Sequence, residues 1–255
     1  MAQPWDRLRR GVVLAELGGW GDGPYCARHG KGAALVVMGT YIVDSGDSVP
    51  YDPAFVFKPD RNAYVDYLSR HVAAARESGA AVGVSVVSVD IDHTVDFLRA
   101  AEEAGAEYTS LCLHSVMEMF LSAGMSSALL WRENWPRLRD CLTLCLQALS
   151  CPFIAKIGFS RLPDAEQAVG EMAAAGVHLI HANVGQVTTA EGRDRIRRLK
   201  AHGGFVIAGG GIGSADDAVG AIEAGADAVA VGTAAMKDPT LCGKLQAALR
   251  DRRRS

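Results

Sequence analysis

Short runs of β-branched and apolar residues alternate with amphipathic stretches along the whole chain. The apolar runs predict strands at Val12–Leu17, Ala34–Met38, Ala81–Val87, Tyr108–Leu113, Pro152–Ile157, His178–Asn183, Phe205–Ala208 and Ala228–Val231. The stretches between them carry apolar residues at helical spacing and predict helices over Arg61–Glu77, Thr94–Ala104, Glu133–Ala148, Asp164–Ala175, Ala190–His202, Ser214–Ala224 and Leu241–Arg250. The first crossover, around Pro24–His29, carries the weakest helical pattern. Eight strands, each followed by a helix or connection, is the count of a (β/α)8 TIM barrel of class α/β. A doubly wound parallel α/β sheet shares the alternation and is the alternative fold.

A repeated junction supports the barrel. Ser78-Gly79-Ala80, Ala104-Gly105-Ala106, Ala175-Gly176-Val177 and Ala224-Gly225-Ala226 each end a helix just before a strand. A glycine there suits a left-handed C-cap. No Pro- or Ser-rich linker divides the chain, so residues 1–255 read as one domain. The longest irregular stretches are Gly39–Asp60 and His114–Trp131, and both follow strand ends, where barrels build their active sites. The first holds Asp44, Asp47 and Asp60, which fit a polar loop surface or part of a lid.

Composition narrows the class. Of the 255 residues, 49% are hydrophobic and 22% charged, which excludes a disordered or collagen-like chain. No apolar run reaches the roughly 18 residues of a membrane span, and Met1 to Arg10 lacks the apolar core of a signal peptide. A net charge of −3 argues against nucleic acid as a partner. The six cysteines fit neither a disulfide framework nor a CxxC metal clip. Cys141 and Cys145 share one helix face, and reduced, buried thiols fit them better than a metal site; no metal is expected, and the expected location is the reducing cytoplasm.

The sharpest motif is Phe205-Val-Ile-Ala-Gly-Gly-Gly-Ile-Gly-Ser214, followed by Gly225-Ala-Asp-Ala-Val-Ala-Val-Gly-Thr-Ala234. Two glycine turns at adjacent strand ends, with Ser214 as an N-cap, form a phosphate site after strands seven and eight. The plainer reading is a tight turn without ligand. The pattern is not GxGxxG with an acidic ribose anchor, which disfavours a dinucleotide fold. Lys156 ends an apolar strand; it either snorkels to solvent, faces a phosphate or an electron-rich ring, or serves as a Schiff-base nucleophile. His181 and Asn183 end the sixth strand and suit ligand contact, with a satisfied core histidine as the alternative. Ser110, Cys112 and His114 alternate onto one strand face, where thiol and imidazole form either an acid or nucleophile with its partner or a buried, hydrogen-bonded pair.

Taken in order, these residues resemble the flavin-binding barrel shared by dihydrouridine synthases and dihydroorotate dehydrogenases, most closely the archaeal dihydrouridine-synthase-related barrel proteins. The resemblance runs roughly from Val12 to Asp238. It rests on Leu14-Ala-Glu-Leu-Gly-Gly-Trp-Gly-Asp-Gly-Pro24, Val37-Met-Gly-Thr-Tyr-Ile-Val-Asp44, Pro152 to Lys156, His181, and the pairs Gly210-Gly211 and Gly232-Thr233. It implies FMN as cofactor, with NAD(P)H as a candidate electron donor. Ala15, Glu16, Leu17 and Gly18 would lie against the isoalloxazine ring, Lys156 and His181 at its polar edge, with Asn183 beyond, and the glycine pairs around the phosphate. The family's Asn-x-x-Cys-Pro segment is missing. Aligning Met117-Glu-Met119 with the archaeal Pro-Glu-Met places His114 at the cysteine position, with Cys112 two residues early. His114 is therefore the first candidate proton donor and Cys112 the second. The tRNA-gripping helical domain of dihydrouridine synthases has no counterpart after the eighth helical pattern. The expected activity is thus an FMN-dependent oxidoreductase acting on a C–C bond of a small cyclic or enone-like metabolite, with a homodimer as the base-rate assembly. The alternative is a non-redox, phosphate-binding lyase, isomerase or synthase.

Overall fold

The computed structural model describes residues 3–44, 51–162 and 164–252. Eight parallel strands form the barrel: β1 (Val12–Leu14), β2 (Leu35–Val43), β3 (Ala81–Ser88), β4 (Tyr108–Leu113), β5 (Phe153–Ile157), β6 (Leu179–Asn183), β7 (Phe205–Gly209) and β8 (Ala228–Val231). Each pairs with its sequence neighbour, and β1 pairs with both β2 and β8, which closes the ring. Eight helices follow the strands in turn: α1 (Gly23–His29), α2 (Arg61–Ala75), α3 (Ile91–Glu103), α4 (Trp135–Ala148), α5 (Ala165–Ala174), α6 (Ala190–Ala201), α7 (Ala215–Glu223) and α8 (Leu241–Asp251). Closure rules out the open doubly wound sheet.

The helix boundaries follow from capping. Asp22, Asp60, Asp90 and Thr189 each accept a first-turn N–H at the starts of α1, α2, α3 and α6. Asp60 is therefore a helix cap rather than lid chemistry, whereas Asp47 lies outside the described residues. The four junction glycines, Gly79, Gly105, Gly176 and Gly225, all have positive φ, from 78° to 111°. The weak helical pattern at Pro24–His29 is a helix because Asp22 caps it and Pro24 occupies its first turn.

Strand alternation divides the core in two. Val13, Leu35, Val37, Tyr108, Ile154, Leu179, Phe205, Ile207 and Ala228 point inward and fill the barrel. The intervening residues face the helices and make the larger, outer core. The N-terminal turn Asp6–Leu8 covers the bottom: Leu8 is fully buried, and Arg7 donates to the Tyr108 hydroxyl at 2.9 Å. Beside it, buried Asp227 pairs with Arg9 at 2.5 Å and Lys200 at 2.7 Å and accepts the Val206 N–H.

Two expected strand boundaries shift by more than one residue. β1 stops at Leu14 instead of Leu17: Ala15 makes a last hydrogen bond to the Val231 carbonyl at 2.8 Å, and Glu16 and Leu17 turn away to line the mouth. β2 runs on to Val43, into a stretch expected to be irregular. Its register against β3 shifts between Met38 and Tyr41: Met38 pairs with Val84, and Tyr41 with Val86. One extra residue is accommodated there as a β-bulge. Past it, Tyr41 turns outward and packs on Phe55, Phe57, Tyr67 and Phe97 with ring centroids 5.1–5.8 Å apart. This cluster anchors Val56–Phe57, which adds a two-residue parallel rung to β2.

Candidate functional site at the barrel mouth

Lateral pairing sets the centre of the site. Cys112 on β4 lies opposite Lys156 on β5, and Lys156 opposite His181 on β6. All three alternate with outward residues and therefore face the barrel axis near its C-terminal end. Glu16, just beyond β1, completes the group. Its Oε2 lies 3.2 Å from Lys156 Nζ and 3.5 Å from His181 Nδ1, with the carboxylate side chain 1% exposed. These contacts are electrostatic: neither Glu16 oxygen accepts an aligned hydrogen bond.

Two cavities meet at this group. The larger, about 550 Å³, runs from Glu16, Lys156 and His181 past Asn183 to the glycine turns. The smaller, about 180 Å³, lies against β2 to β4. Glu16, Lys156 and His114 line both. Ala15 and Leu17 line the larger cavity; Gly18 and Cys112 line the smaller. Every candidate residue is thus brought to one mouth, divided between two compartments.

The far end of the larger cavity is built from backbone. Gly210 and Gly211 follow β7 with φ of +119° and +71°. A Cβ on Gly210 would stand 2.0 Å from the Gly185 carbonyl oxygen, and one on Gly211 1.8 Å from Gln186 Oε1. Across from them, Gly232 opens the short helix Thr233–Lys237, whose first N–H groups have no partner inside the helix. His29 of α1 holds this helix through Nδ1, 2.8 Å from the Ala235 carbonyl oxygen. The α7 start is different. Ser214 is its N-cap as expected, but Gly213 and Ser214 donate their N–H groups to Asp217 Oδ2 at 3.0 and 2.9 Å. That carboxylate occupies the end of the α7 dipole, so an anion is left with the glycine turns and the Thr233 helix.

The titratable groups are tuned by burial and by one another. Burial raises the Glu16 carboxyl, yet Lys156 and His181 outweigh it and hold the group well below the usual carboxylate range. Burial lowers His181, partly offset by Glu16. Burial, then Lys156 and Arg161, depress His114 to about 4, so its imidazole is neutral at pH 7. A neutral imidazole has no imidazolium proton to give, which counts against the proton-donor role expected of His114. Burial raises the Cys112 thiol, which stays protonated. His114 Nδ1 and Ser110 Oγ are buried with no protein partner.

A family model described as dihydroorotate dehydrogenase matches residues 185–252, the stretch that holds both glycine turns. Two crystal structures of DHODH from Eimeria tenella, one in complex with ferulenol and one ligand-free, superpose with TM-scores of 0.69 and 0.68. They cover 96% and 98% of this chain, and 84% and 88% of theirs, at 16% and 15% identity. The fold is a DHODH-like barrel. Geranylgeranylglyceryl phosphate synthase of Methanopyrus kandleri is 45% identical over 56 residues, 22% of this chain. The chain spans under a quarter of that curated relative, 23% of its length. In this DHODH-like barrel, Lys237, Thr40, Tyr51, Ser115 and Met117 also line the mouth. Thr40 and Met117 lie in runs that carry the resemblance but are not candidate site residues there, and Lys237, Tyr51 and Ser115 belong to no motif. Thr40 and Tyr51 fall in the stretch expected to be irregular, and Lys237 is signalled only by its place one helical turn past Thr233. No helix among the described residues is long and apolar enough to cross a membrane, and no described cluster of His, Cys, Asp or Glu could hold a metal.

Proposed function

We propose that the protein is a flavin-dependent oxidoreductase that holds FMN in the larger cavity and reduces or oxidises a C–C bond of a small cyclic or enone-like metabolite. The observation that carries this is the union, in one cavity, of a side-chain-free cradle and the Glu16–Lys156–His181 group. The residues present fit the cofactor. Gly210 and Gly211 put backbone with no side chain at the phosphate end of the cavity, and the Glu16 carboxylate at its other end has no aligned donor within the protein. The volume lies within the usual ligand range. Gly210, Gly211, Gly232 and Thr233 would hold the phosphate; Ala15, Glu16, Leu17, Gly18, Lys156, His181 and Asn183 would surround the ring. When bound, the flavin would supply hydride transfer, with NAD(P)H as a candidate donor.

The chain's own groups supply charge and protons. Lys156 presents an ammonium to the ring end of the cavity, and Glu16 fixes its position. The protonated thiol of Cys112 suits proton donation in the direction of reduction. The neutral imidazole of His114 suits proton acceptance in the direction of oxidation. The two candidates therefore divide by direction, which single-turnover rates of His114→Ala and Cys112→Ala in each direction would show.

The test is a visible spectrum of the purified protein, repeated after FMN addition and desalting. Bands near about 375 and 450 nm are expected. A protein that stays colourless and retains no FMN sinks the reading. The second reading, a non-redox enzyme acting on a phosphorylated metabolite, is favoured by the match to geranylgeranylglyceryl phosphate synthase. In one form of it Lys156 forms a Schiff base, and borohydride trapping with a phosphorylated carbonyl compound would reveal that covalent adduct. A small-molecule substrate, a cytoplasmic location and a homodimer belong to the proposal as well.

A further inference from the structure

We propose that Glu16 sets the ligand class of the smaller cavity, selecting neutral one-ring molecules and rejecting carboxylates. The cavity measures about 180 Å³, close to the roughly 150 Å³ of an engineered apolar cavity that takes up benzene, so it suits a single ring of about six to nine heavy atoms. Ile42, Val87, Met117 and Phe120 make its wall apolar. The charged groups on that wall are Glu16 and Lys156, 3.2 Å apart, and each compensates the other. His114, the third titratable group shared with the larger cavity, is neutral, and the further cation acting on it, Arg161, stands outside the wall. A ring carrying a carboxylate would enter with no free counter-ion and would face the Glu16 carboxylate. A neutral ring needs only a hydrogen-bond partner, and the wall offers polar side chains in Thr40, Cys112 and Ser115. Dihydroorotate, the substrate in the matching family's name, carries a carboxylate, so this cavity selects against it.

The inference rests on the flavin reading only for the chemistry done on the ring, not for which ring binds. Benzamide and benzoate test it, because they share size and shape and differ in charge. Binding of each to the purified protein is followed by ligand-observed NMR, with FMN retention read separately at about 450 nm. Benzamide is expected to bind at least tenfold more tightly than benzoate. Glu16→Gln frees Lys156 and is expected to invert that preference, while Glu16→Asp keeps it. Val87→Phe, which fills the cavity, is expected to abolish benzamide binding. Equal or tighter binding of benzoate to the unaltered protein, no binding of either ring, a preference unchanged in Glu16→Gln, or benzamide binding that survives Val87→Phe would each overturn the assignment. FMN retention without the preference sinks this inference alone. The preference without FMN retention sinks the flavin reading and leaves the role of Glu16 standing.

Discussion

At Gly210 the backbone and the neighbouring Gly185 carbonyl leave no room for a side chain. Gly210→Ala is expected to destabilise the fold by about 1–3 kcal/mol and to abolish FMN retention after desalting. A thermal melt and an absorption spectrum check the two effects together. The glycine pairs, Lys156 and His181 were legible in the sequence because strand alternation and strand ends dictate where such residues point. Glu16 was legible as a mouth residue, but its pairing with Lys156 was not, since it depends on β1 and β5 meeting their places around a closed ring. The depressed imidazole of His114 was equally hidden. It comes from burial and from cations on other segments, which no local spacing encodes.

At the scale of elements, most helices were legible because caps and junction glycines are local signals. Less legible was the N-terminal turn, whose Leu8 plugs the barrel and whose Arg9 joins Asp227 from the far end of the chain. Asp227→Asn leaves Lys200 and Arg9 without their shared carboxylate. Both cations are partly exposed and keep Asp6 and the Gly204 carbonyl as partners, so the expected loss is about 1–3 kcal/mol, below that of a fully buried broken pair. Denaturant unfolding measures it. Because Asp227 lies at the bottom, FMN retention at the mouth is expected to survive in the folded fraction.

For the whole molecule, the eightfold alternation and the repeated glycine junctions pointed to the barrel but left the open sheet as an alternative, which only the pairing of β1 with both β2 and β8 excludes. The mouth also makes the fold acid-sensitive. His114 titrates near 4 when folded and near its ordinary 6.5 when unfolded. Between those values the unfolded chain binds more protons, so this contribution is complete above about pH 6.5 and is lost as pH falls toward 4. It amounts to about 3 kcal/mol at most. His181 acts with the same sign, and Glu16 adds a further loss below its ordinary 4.5. Unfolding free energies measured from pH 8 down to pH 4 should therefore fall from about pH 6.5 onward. His114→Gln should flatten the upper part of that fall.

The bulge in β2 has an arithmetic meaning. Below it the odd-numbered residues Leu35 and Val37 face the barrel axis; above it the even-numbered Thr40 and Ile42 line the small cavity. One surplus residue reverses the parity of everything beyond it. The run Leu35-Val-Val-Met-Gly-Thr-Tyr-Ile-Val43 is apolar almost throughout, so hydropathy reads the same in either frame. Were the same nine residues laid out as a regular strand without the bulge, the bulky phenol of Tyr41 would stand where Thr40 and Ile42 now leave space, and the cavity would be closed from within. The room for a ring beside Glu16 is therefore set by where β2 bulges, as much as by which residues it contains.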